Sequence, residues 1–348
     1  MGSYPIYEDQ IPLFLILFSL VHYLFLITLI LGLSISICAR SWFRAWIGLE
    51  LNLLSFIPLI ASKNNSYSSE AALKYFLIQA LGSVILLIST IIILIKIHLF
   101  SLFLLSTLLL KIGAAPFHFW FPPTLEGIIW PQVFILITIQ KIAPISLLSH
   151  YVLEQPNLIF TSIIISAIVG ALGGLNQTLL RKILAYASVN HIAWINISLI
   201  IRETLWLIYF LMYSLISIIV ILIFYIIQIF HLNHFVNQIV NKPVLKINLL
   251  TRFLSLGGLP PFIGFIPKWL VIQHLSSSNN ILVLFTLLAS SLFTLFYYLR
   301  ITLRTLILNS NKTKWIIKFN ANSKILILIS TINLSGPLIL SIIYLILI

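Results

Sequence analysis

Residues 105–120 read LSTLLLKIGAAPFHFW, and residues 257–269 read GGLPPFIGFIPKW. Each stretch interrupts a long apolar segment with glycine and proline, and each has a lysine close to the interruption, at Lys111 and at Lys268. Glycine and proline break α-helices, and a break inside a membrane frees backbone groups that only protein or water can satisfy. The two stretches therefore predict membrane helices that are broken beside a buried charge.

The composition of the whole chain also indicates a membrane environment. Of the 348 residues, 61% are hydrophobic and only 8% are charged, and the mean hydropathy is +1.14. A soluble domain has about 25% charged residues. The net charge of +13 is not gathered in a basic stripe on a polar face, which argues against nucleic-acid binding. The single cysteine, Cys38, excludes an intrachain disulfide and a Cys-ligated iron–sulfur cluster.

The predicted fold is an all-α polytopic membrane protein with about eleven transmembrane helices. A helix needs about 20 apolar residues to cross a ~30 Å hydrocarbon core. The predicted spans are 11–38, 45–61, 71–97, 99–121, 127–152, 157–175, 183–201, 205–231, 248–275, 281–306 and 325–347.

These spans form a single membrane domain over residues 1–348. We expect a first five-helix repeat at 11–152, a second at 157–306, and a final helix at 325–347. Because five is an odd number, the second repeat starts from the opposite side of the membrane, so the two repeats are inverted. Their broken fourth and ninth helices hold matching places, which indicates a transport pathway unless the prolines coincide by chance.

The basic residues predict the orientation of the chain. The predicted topology places thirteen lysines and arginines on the side of the N-terminus and four on the other side. We call the first of these the basic side. Basic loops stay inside, so the N-terminus is predicted to lie inside and the C-terminus outside.

Three lysines are assigned to neither side of the membrane, Lys111, Lys141 and Lys268, and Glu50 is the one carboxylate well inside an apolar run. A charge at the centre of a membrane costs ~3 kcal/mol on insertion scales, and such residues are generally functional. The alternative is structural. Buried ion pairs would then fix helix packing, or Lys268, which lies nearer a span end, would reach the interface along its aliphatic stem.

Proton transfer is the chemistry that these residue types favour. Burial disfavours the charged form of a lysine, and a neighbouring carboxylate favours it. A row of lysines connected by polar side chains and water would thus pass protons along the middle of the membrane. His118 and His191 are possible intermediates, because histidine gains and loses its proton near neutral pH. A purely structural role for both histidines is equally open.

Several motifs together resemble the mitochondrially encoded antiporter-like subunits of respiratory complex I, the NADH:ubiquinone oxidoreductase, and their wording is nearest to arthropod versions. The motifs cover nearly the whole chain: WIGLELNLLSFIPLI (46–60), EAALKYFLIQA (70–80), KIGAAPFHFWFPPTLEG (111–127), QKIAPISLL (140–148), GGLNQTLLRKILAYASVNHIAW (173–194) and GGLPPFIGFIPKW (257–269). The resemblance implies inverted five-helix repeats with broken helices. It also implies an animal form that lacks the first three of the family's fourteen helices.

The resemblance assigns roles to individual residues. Glu50 matches the glutamate that pairs with the lysine at Lys111, Lys141 matches the central lysine of a proton pathway, and Lys268 matches its terminal lysine. His118 and His191 match histidines near that pathway. We therefore expect a multi-pass protein of the mitochondrial inner membrane, with its N-terminus on the matrix side and its C-terminus on the intermembrane-space side.

The resemblance further implies partners and cofactors. Expected partners are the other membrane-arm subunits and phospholipids, without nucleic acid and without homo-oligomers. The chain has no dinucleotide-binding fingerprint and no cysteine set for a cluster, so we expect no cofactor or metal on it. NAD, FMN, the iron–sulfur clusters and ubiquinone would bind elsewhere in the complex.

Two other functions stay open from the sequence. A stand-alone cation/proton antiporter is disfavoured, because hard cations prefer oxygen ligands and intramembrane carboxylates are scarce here. A non-pumping structural spacer of the membrane arm would contain the same charges without using them.

Overall fold

The computed structural model describes residues 20–61, 65–94, 100–232, 243–278 and 280–307. Every named regular element in this part of the chain is a helix, which confirms the predicted all-α class. The α-helices are α1 (Leu20–Ile37), α2 (Trp42–Ile60), α3 (Ser66–Leu94), α4 (Phe100–Ile112), α5 (Phe121–Gly127), α6 (Trp130–Ile137), α7 (Ile139–Ser149), α8 (Pro156–Gly173), α9 (Leu180–Ile201), α10 (Glu203–Ile227), α11 (Pro243–Gly257), α12 (Phe265–Ser277) and α13 (Ile281–Ile307).

Eight segments of the described part are long and apolar enough to cross a membrane. They are Trp42–Ile60, Ser66–Ile93, Phe100–Gly127, Trp130–Ser149, Pro156–Gly173, Leu180–Ile201, Glu203–Ile227 and Ile281–Leu303. The predicted ninth span falls short of this length because it is divided into α11 and α12. Residues 11–19 of the first predicted span, and the last span at 325–347, lie outside the described residues. The total of eleven helices and the inverted repeats remain predictions.

Both expected helix breaks are present. The fourth span stops at Ile112, continues through a short 3-10 helix at Phe117–Trp120, and resumes in α5. The ninth span stops at Gly257 and resumes at Phe265. Both breaks begin with a glycine in the left-handed region, Gly113 at φ +79° and Gly258 at φ +78°. Only glycine adopts this conformation without a steric cost, so the two glycines determine where the helices stop.

The fifth span contains an interruption that the sequence did not predict. Helix α6 ends at Ile137 and α7 begins at Ile139, because Thr138 has φ −114° and ψ −75°. The Thr138 hydroxyl donates to the backbone oxygen of Phe134 at 2.7 Å. One turn further on, Pro144 lies inside α7 and has no N–H to donate to the backbone oxygen of Gln140. Lys141 therefore lies between two local disturbances of its helix.

Glycines allow two helix pairs to approach closely. A Cβ on Gly48 of α2 would lie 2.6 Å from the backbone nitrogen of Ser36 in α1. A Cβ on Gly170 of α8 would lie 2.6 Å from the backbone nitrogen of Asn190 in α9. Membrane helices associate through such small residues, because lipid supplies no hydrophobic force between them. These two pairs occupy matching places in the two predicted repeats.

Candidate functional site

The first part of the site connects Glu50 of α2 with Lys111 in the last turn of α4. The Glu50 carboxylate acts electrostatically on the Lys111 ammonium, although no ion pair within 4.0 Å joins the two side chains. Lys111 is buried, and its aliphatic stem packs against Gly82 of α3. One carboxylate oxygen of Glu50, Oε2, is buried without a hydrogen-bond partner among the described residues. The two side chains are thus close enough to interact, and a water molecule between the carboxylate and the ammonium would bridge them.

The break after α4 leaves helix carbonyls that other side chains satisfy. Trp120 donates from Nε1 to the backbone oxygen of Leu110 at 3.2 Å. Gln79 donates from Nε2 to the backbone oxygen of Lys111 at 3.3 Å. Because these donors occupy the carbonyls at the helix end, the Lys111 ammonium remains available to other partners.

A cavity separates Lys111 from Lys141. Both lysines line it. Asn52 of α2, Tyr75 and Gln79 of α3, and Gln140 of α7 supply further polar side chains. The cavity has room for at least one water molecule, and its polar lining offers the hydrogen bonds that a buried water needs. Tyr75 donates to Gln140 Oε1 at 3.3 Å. Asn52 Oδ1 and Gln140 Nε2, which have no hydrogen-bond partner among the described residues, are an acceptor and a donor for such a water.

Lys141 of α7 is almost completely buried, with 2% of its surface exposed. Its Nζ lies 4.4 Å from the centroid of the Phe121 ring, which is a cation–π contact. It has no hydrogen-bond partner among the described side chains and backbone groups. A buried ammonium without hydrogen bonds is costly, so Lys141 requires water in the neighbouring cavity or the loss of its proton.

His191 of α9 lies between Lys141 and Lys268. Both lysines act electrostatically on its buried ring. Its Nδ1 lies 3.0 Å from the Tyr209 hydroxyl, and its ring centroid lies 4.6 Å from that of Tyr213. The hydrogen bond with Tyr209 fixes the orientation of the imidazole. The structure thus brings His191 into the row of charged residues that the sequence singled out.

Lys268 is held by the end of a broken helix. Its Nζ donates to the backbone oxygen of Gly257 at 2.8 Å and lies 3.5 Å from that of Leu256. These are the unpaired carbonyls at the C-terminus of α11, where the helix dipole favours a positive charge. The Nζ also lies 5.6 Å from the centroid of the Trp194 ring. Lys268 is buried, so it does not extend to the interface as the structural alternative would require.

His118 is less closely connected to this row. It lies in the 3-10 helix within the first break, 8% of its surface is exposed, and its ring packs 4.2 Å from that of Phe119. Its buried Nδ1 has no hydrogen-bond partner among the described residues. A role for His118 in the row remains a prediction.

The polar partners of the charged residues were missed by the sequence reasoning. Tyr75 and Gln79 lie four residues apart on α3, and Tyr209 and Tyr213 lie four apart on α10. Residues at this spacing share one face of a helix. A search for polar pairs at helical spacing in the apolar spans would have found them.

Three residues assigned to the predicted basic side, Arg181, Lys182 and Arg300, make contacts in the described structure, whereas the predicted topology itself remains a prediction. Lys182 forms an ion pair with Glu126 at 2.7 Å, and Arg181 donates to the backbone oxygen of Glu126 at 2.7 Å. Arg300 donates to the backbone oxygen of Gln177 at 3.0 Å. These contacts join the ends of α5, α9 and α13 with the loop that follows α8.

Known proteins resemble the chain over most of its length. A family model described as "NADH:quinone oxidoreductase/Mrp antiporter, TM" matches residues 39–97 and 94–294. The chain is 47% identical to NADH-ubiquinone oxidoreductase chain 2 of Aedes aegypti and 45% identical to that of Anopheles gambiae. Each alignment covers 93% of this chain and 98% of the relative.

A solved structure has the same fold. A chain of respiratory complex I from Thermus thermophilus, solved with bound aureothin, superposes with a TM-score of 0.82 at 24% identity. The superposition covers 91% of this chain and 78% of that chain. With the helices, the buried charges and the identities above, these matches lead to one conclusion: this integral membrane protein belongs to the NADH-ubiquinone oxidoreductase chain 2 family, among the antiporter-like membrane subunits.

Proposed function

We propose that this chain translocates protons as a membrane-arm subunit of NADH:ubiquinone oxidoreductase, along a mid-membrane row of Glu50, Lys111, Lys141, His191 and Lys268. The observation that carries the proposal is the continuity of this row. Each member contacts or acts electrostatically on the next, or shares a water-sized polar cavity with it. Family membership places the chain among relatives named for this oxidoreductase.

The row provides a proton step at each position. Glu50 stabilises the proton on Lys111, and protonation or displacement of the carboxylate would release that proton toward the cavity. Water there would carry it to Lys141, whose Nζ has no competing hydrogen bond among the described residues. His191 then connects Lys141 with Lys268, which rests on the carbonyls at the end of α11.

The row also disfavours the two other functions. A cation antiporter would need oxygen ligands for Na⁺ or K⁺, whereas the ammonium groups of this row repel cations. A structural spacer would pair its buried charges, yet Lys141 has neither an ion pair nor a hydrogen bond among the described residues. An uncompensated buried charge destabilises a protein, so its presence favours a function.

The redox chemistry would belong to partner chains. In this proposal NAD, FMN, the iron–sulfur clusters and ubiquinone bind to other subunits, and this chain holds no cofactor. It would lie in the mitochondrial inner membrane with its basic side toward the matrix, in contact with neighbouring membrane-arm subunits and phospholipids.

The proposal is tested with the purified complex that contains this chain, reconstituted into phospholipid vesicles. NADH oxidation is started in buffers where choline replaces both Na⁺ and K⁺, and proton uptake is followed with a pH-sensitive dye. We expect the number of protons moved per NADH to stay the same as in Na⁺ and K⁺ buffers. A requirement for either cation would contradict the proposal and favour antiport.

The same preparation tests assembly. On a native gel, this chain should migrate in the band that oxidises NADH. Migration apart from that activity would show that the chain does not work in the oxidoreductase.

A further inference from the structure

A second group of buried hydroxyls lies between the row of charged residues and the basic side. It comprises Ser188 of α9, Tyr213 of α10, and Tyr297 and Tyr298 of α13, and we call it the hydroxyl column. All four residues are at most 5% exposed. None of the four residues lines the cavity beside Lys111, and none belongs to the row of charged residues.

At the end of the hydroxyl column that is farther from the basic side, Tyr213 contacts His191. The Tyr213 ring stacks at an angle on the imidazole, with 4.6 Å between the ring centroids. The Tyr213 hydroxyl lies beside that of Ser188, which is one turn of α9 from His191 toward the basic side. The Tyr298 hydroxyl in turn acts electrostatically on that of Tyr213. These contacts lead from the imidazole toward α13.

The middle of the column contains two tyrosines whose hydroxyls have no hydrogen-bond partner of good geometry in the described part of the chain. The Tyr297 and Tyr298 ring centroids lie 4.8 Å apart, and their hydroxyls interact with each other, although neither has a hydrogen-bond partner of good geometry among the described residues. Tyr297 is 0% exposed and Tyr298 is 1% exposed. A buried hydroxyl without a partner costs free energy, and ordered water is the usual way in which such groups are satisfied. The two hydroxyls therefore indicate internal water at this depth.

At its other end, the column contacts the loop between α8 and α9, on the predicted basic side. The Tyr297 ring packs so closely on Gly174 that a Cβ added to this glycine would lie 2.7 Å from the ring. Gly174 begins the loop between α8 and α9. One turn further along α13, Arg300 donates to the backbone oxygens of Leu175 and Gln177 in the same loop. Asn176 and Thr178 of this loop are exposed.

From this geometry we propose that the hydroxyl column, together with internal water, is the route by which protons enter from the basic side and reach His191. A hydroxyl accepts a proton on its oxygen and passes its own proton to the next acceptor, so each group ends unchanged. The net step moves one proton from water near Gln177 to the imidazole of His191. No other bond forms or breaks.

This inference rests on the proposed proton function, so the experiment includes a variant for each claim. Tyr297→Phe, Tyr298→Phe and the double variant remove only the hydroxyls and keep the rings. Each is purified in the whole complex and reconstituted into vesicles. The measurements are the protons moved per NADH oxidised and the solvent deuterium isotope effect on NADH oxidation. Tyr186→Phe is the matched control, since Tyr186 packs on the neighbouring Gly173 but is partly exposed and outside the column.

We expect the column variants to move fewer protons per NADH, with the largest loss in the double variant. Their solvent isotope effect should rise above the wild-type value, because proton entry then limits turnover, and a merely structural change would not produce this rise. Tyr186→Phe should match wild type. If the double variant keeps the wild-type ratio and isotope effect while Lys141→Ala lowers the ratio, the entry route is wrong and the proton function stands. If neither lowers the ratio, the proton function itself fails.

Discussion

The three buried lysines of this protein are stabilised in three different ways. Lys111 interacts with a nearby carboxylate, Lys141 with an aromatic ring, and Lys268 with the carbonyls at a helix end. If all three lysines had the same kind of stabilising partner, a structural role would be indicated. Different environments along one row instead favour a role in proton transfer, because burial and neighbouring charges change how strongly a lysine holds its proton.

Glu50→Gln tests the first step of the row at the level of one residue. The amide keeps the shape of the side chain but removes the charge that stabilises the Lys111 proton. We expect slower NADH oxidation by the coupled complex, measured in vesicles that maintain a proton gradient. Glu154→Gln, an exposed loop position, is the control and should leave the rate unchanged. A wild-type rate in Glu50→Gln would remove Glu50 from the mechanism.

The sequence predicted the charged residues of the site but not their surroundings. A charge in an apolar run is conspicuous from composition alone, which is why Glu50 and the three lysines stood out. Tyr75, Gln140 and Tyr209 did not, because tyrosine and glutamine are common at interfaces and within apolar spans. Their importance depends on which helices are neighbours, and the apolar pattern of a membrane helix does not specify this.

At the scale of elements, both broken helices have a buried lysine beside the break, but the two lysines lie on different sides of their breaks in the sequence. Lys111 precedes its break and its helix end is occupied by Trp120 and Gln79, whereas Lys268 follows its break and occupies the helix end itself. The breaks were predictable because glycine and proline mark them. The interruption at Thr138 was not, since threonine at that place leaves the apolar pattern intact.

The break in the ninth span predicts a sharp difference between adjacent glycines. A Cβ on Gly258 would lie 2.6 Å from Cδ of Lys268 and would also disfavour the positive φ by roughly 1–2 kcal/mol. Gly258→Ala should therefore move Lys268 away from the Gly257 carbonyl and lower the number of protons moved per NADH. The temperature at which the complex loses activity should fall as well.

Gly257→Ala is the matched control for this prediction. The nearest atoms to a Cβ at Gly257 lie 3.6 Å away, which is ordinary contact, and its φ is not positive. We expect this variant to resemble wild type in both measurements. Equal behaviour of the two alanine variants would contradict the argument that the left-handed glycine positions Lys268.

At the scale of the whole molecule, the charges divide according to the membrane. The apolar exterior suits lipid and neighbouring chains, and large apolar residues are exposed along α1, α3 and α13. Arg181, Lys182 and Arg300 pair with Glu126 and with backbone carbonyls. Among the described residues, the charges inside the bundle are those of the proposed row and Arg252 of α11, which is 1% exposed. The family and the helical class were predictable from sequence, because both depend on patterns within single segments.

The measurement that tests the account most directly is the number of protons moved per NADH by the complex with Lys141→Ala. Lys141 has no hydrogen-bond partner or ion pair among the described residues, so its removal breaks no such bond there and removes its cation–π contact with Phe121. Lys74→Ala, an exposed lysine paired with Glu70, is the control. We predict that Lys141→Ala lowers the ratio while NADH oxidation continues, and that Lys74→Ala leaves it unchanged. An unchanged ratio in Lys141→Ala would contradict proton transfer through this chain and favour a structural spacer.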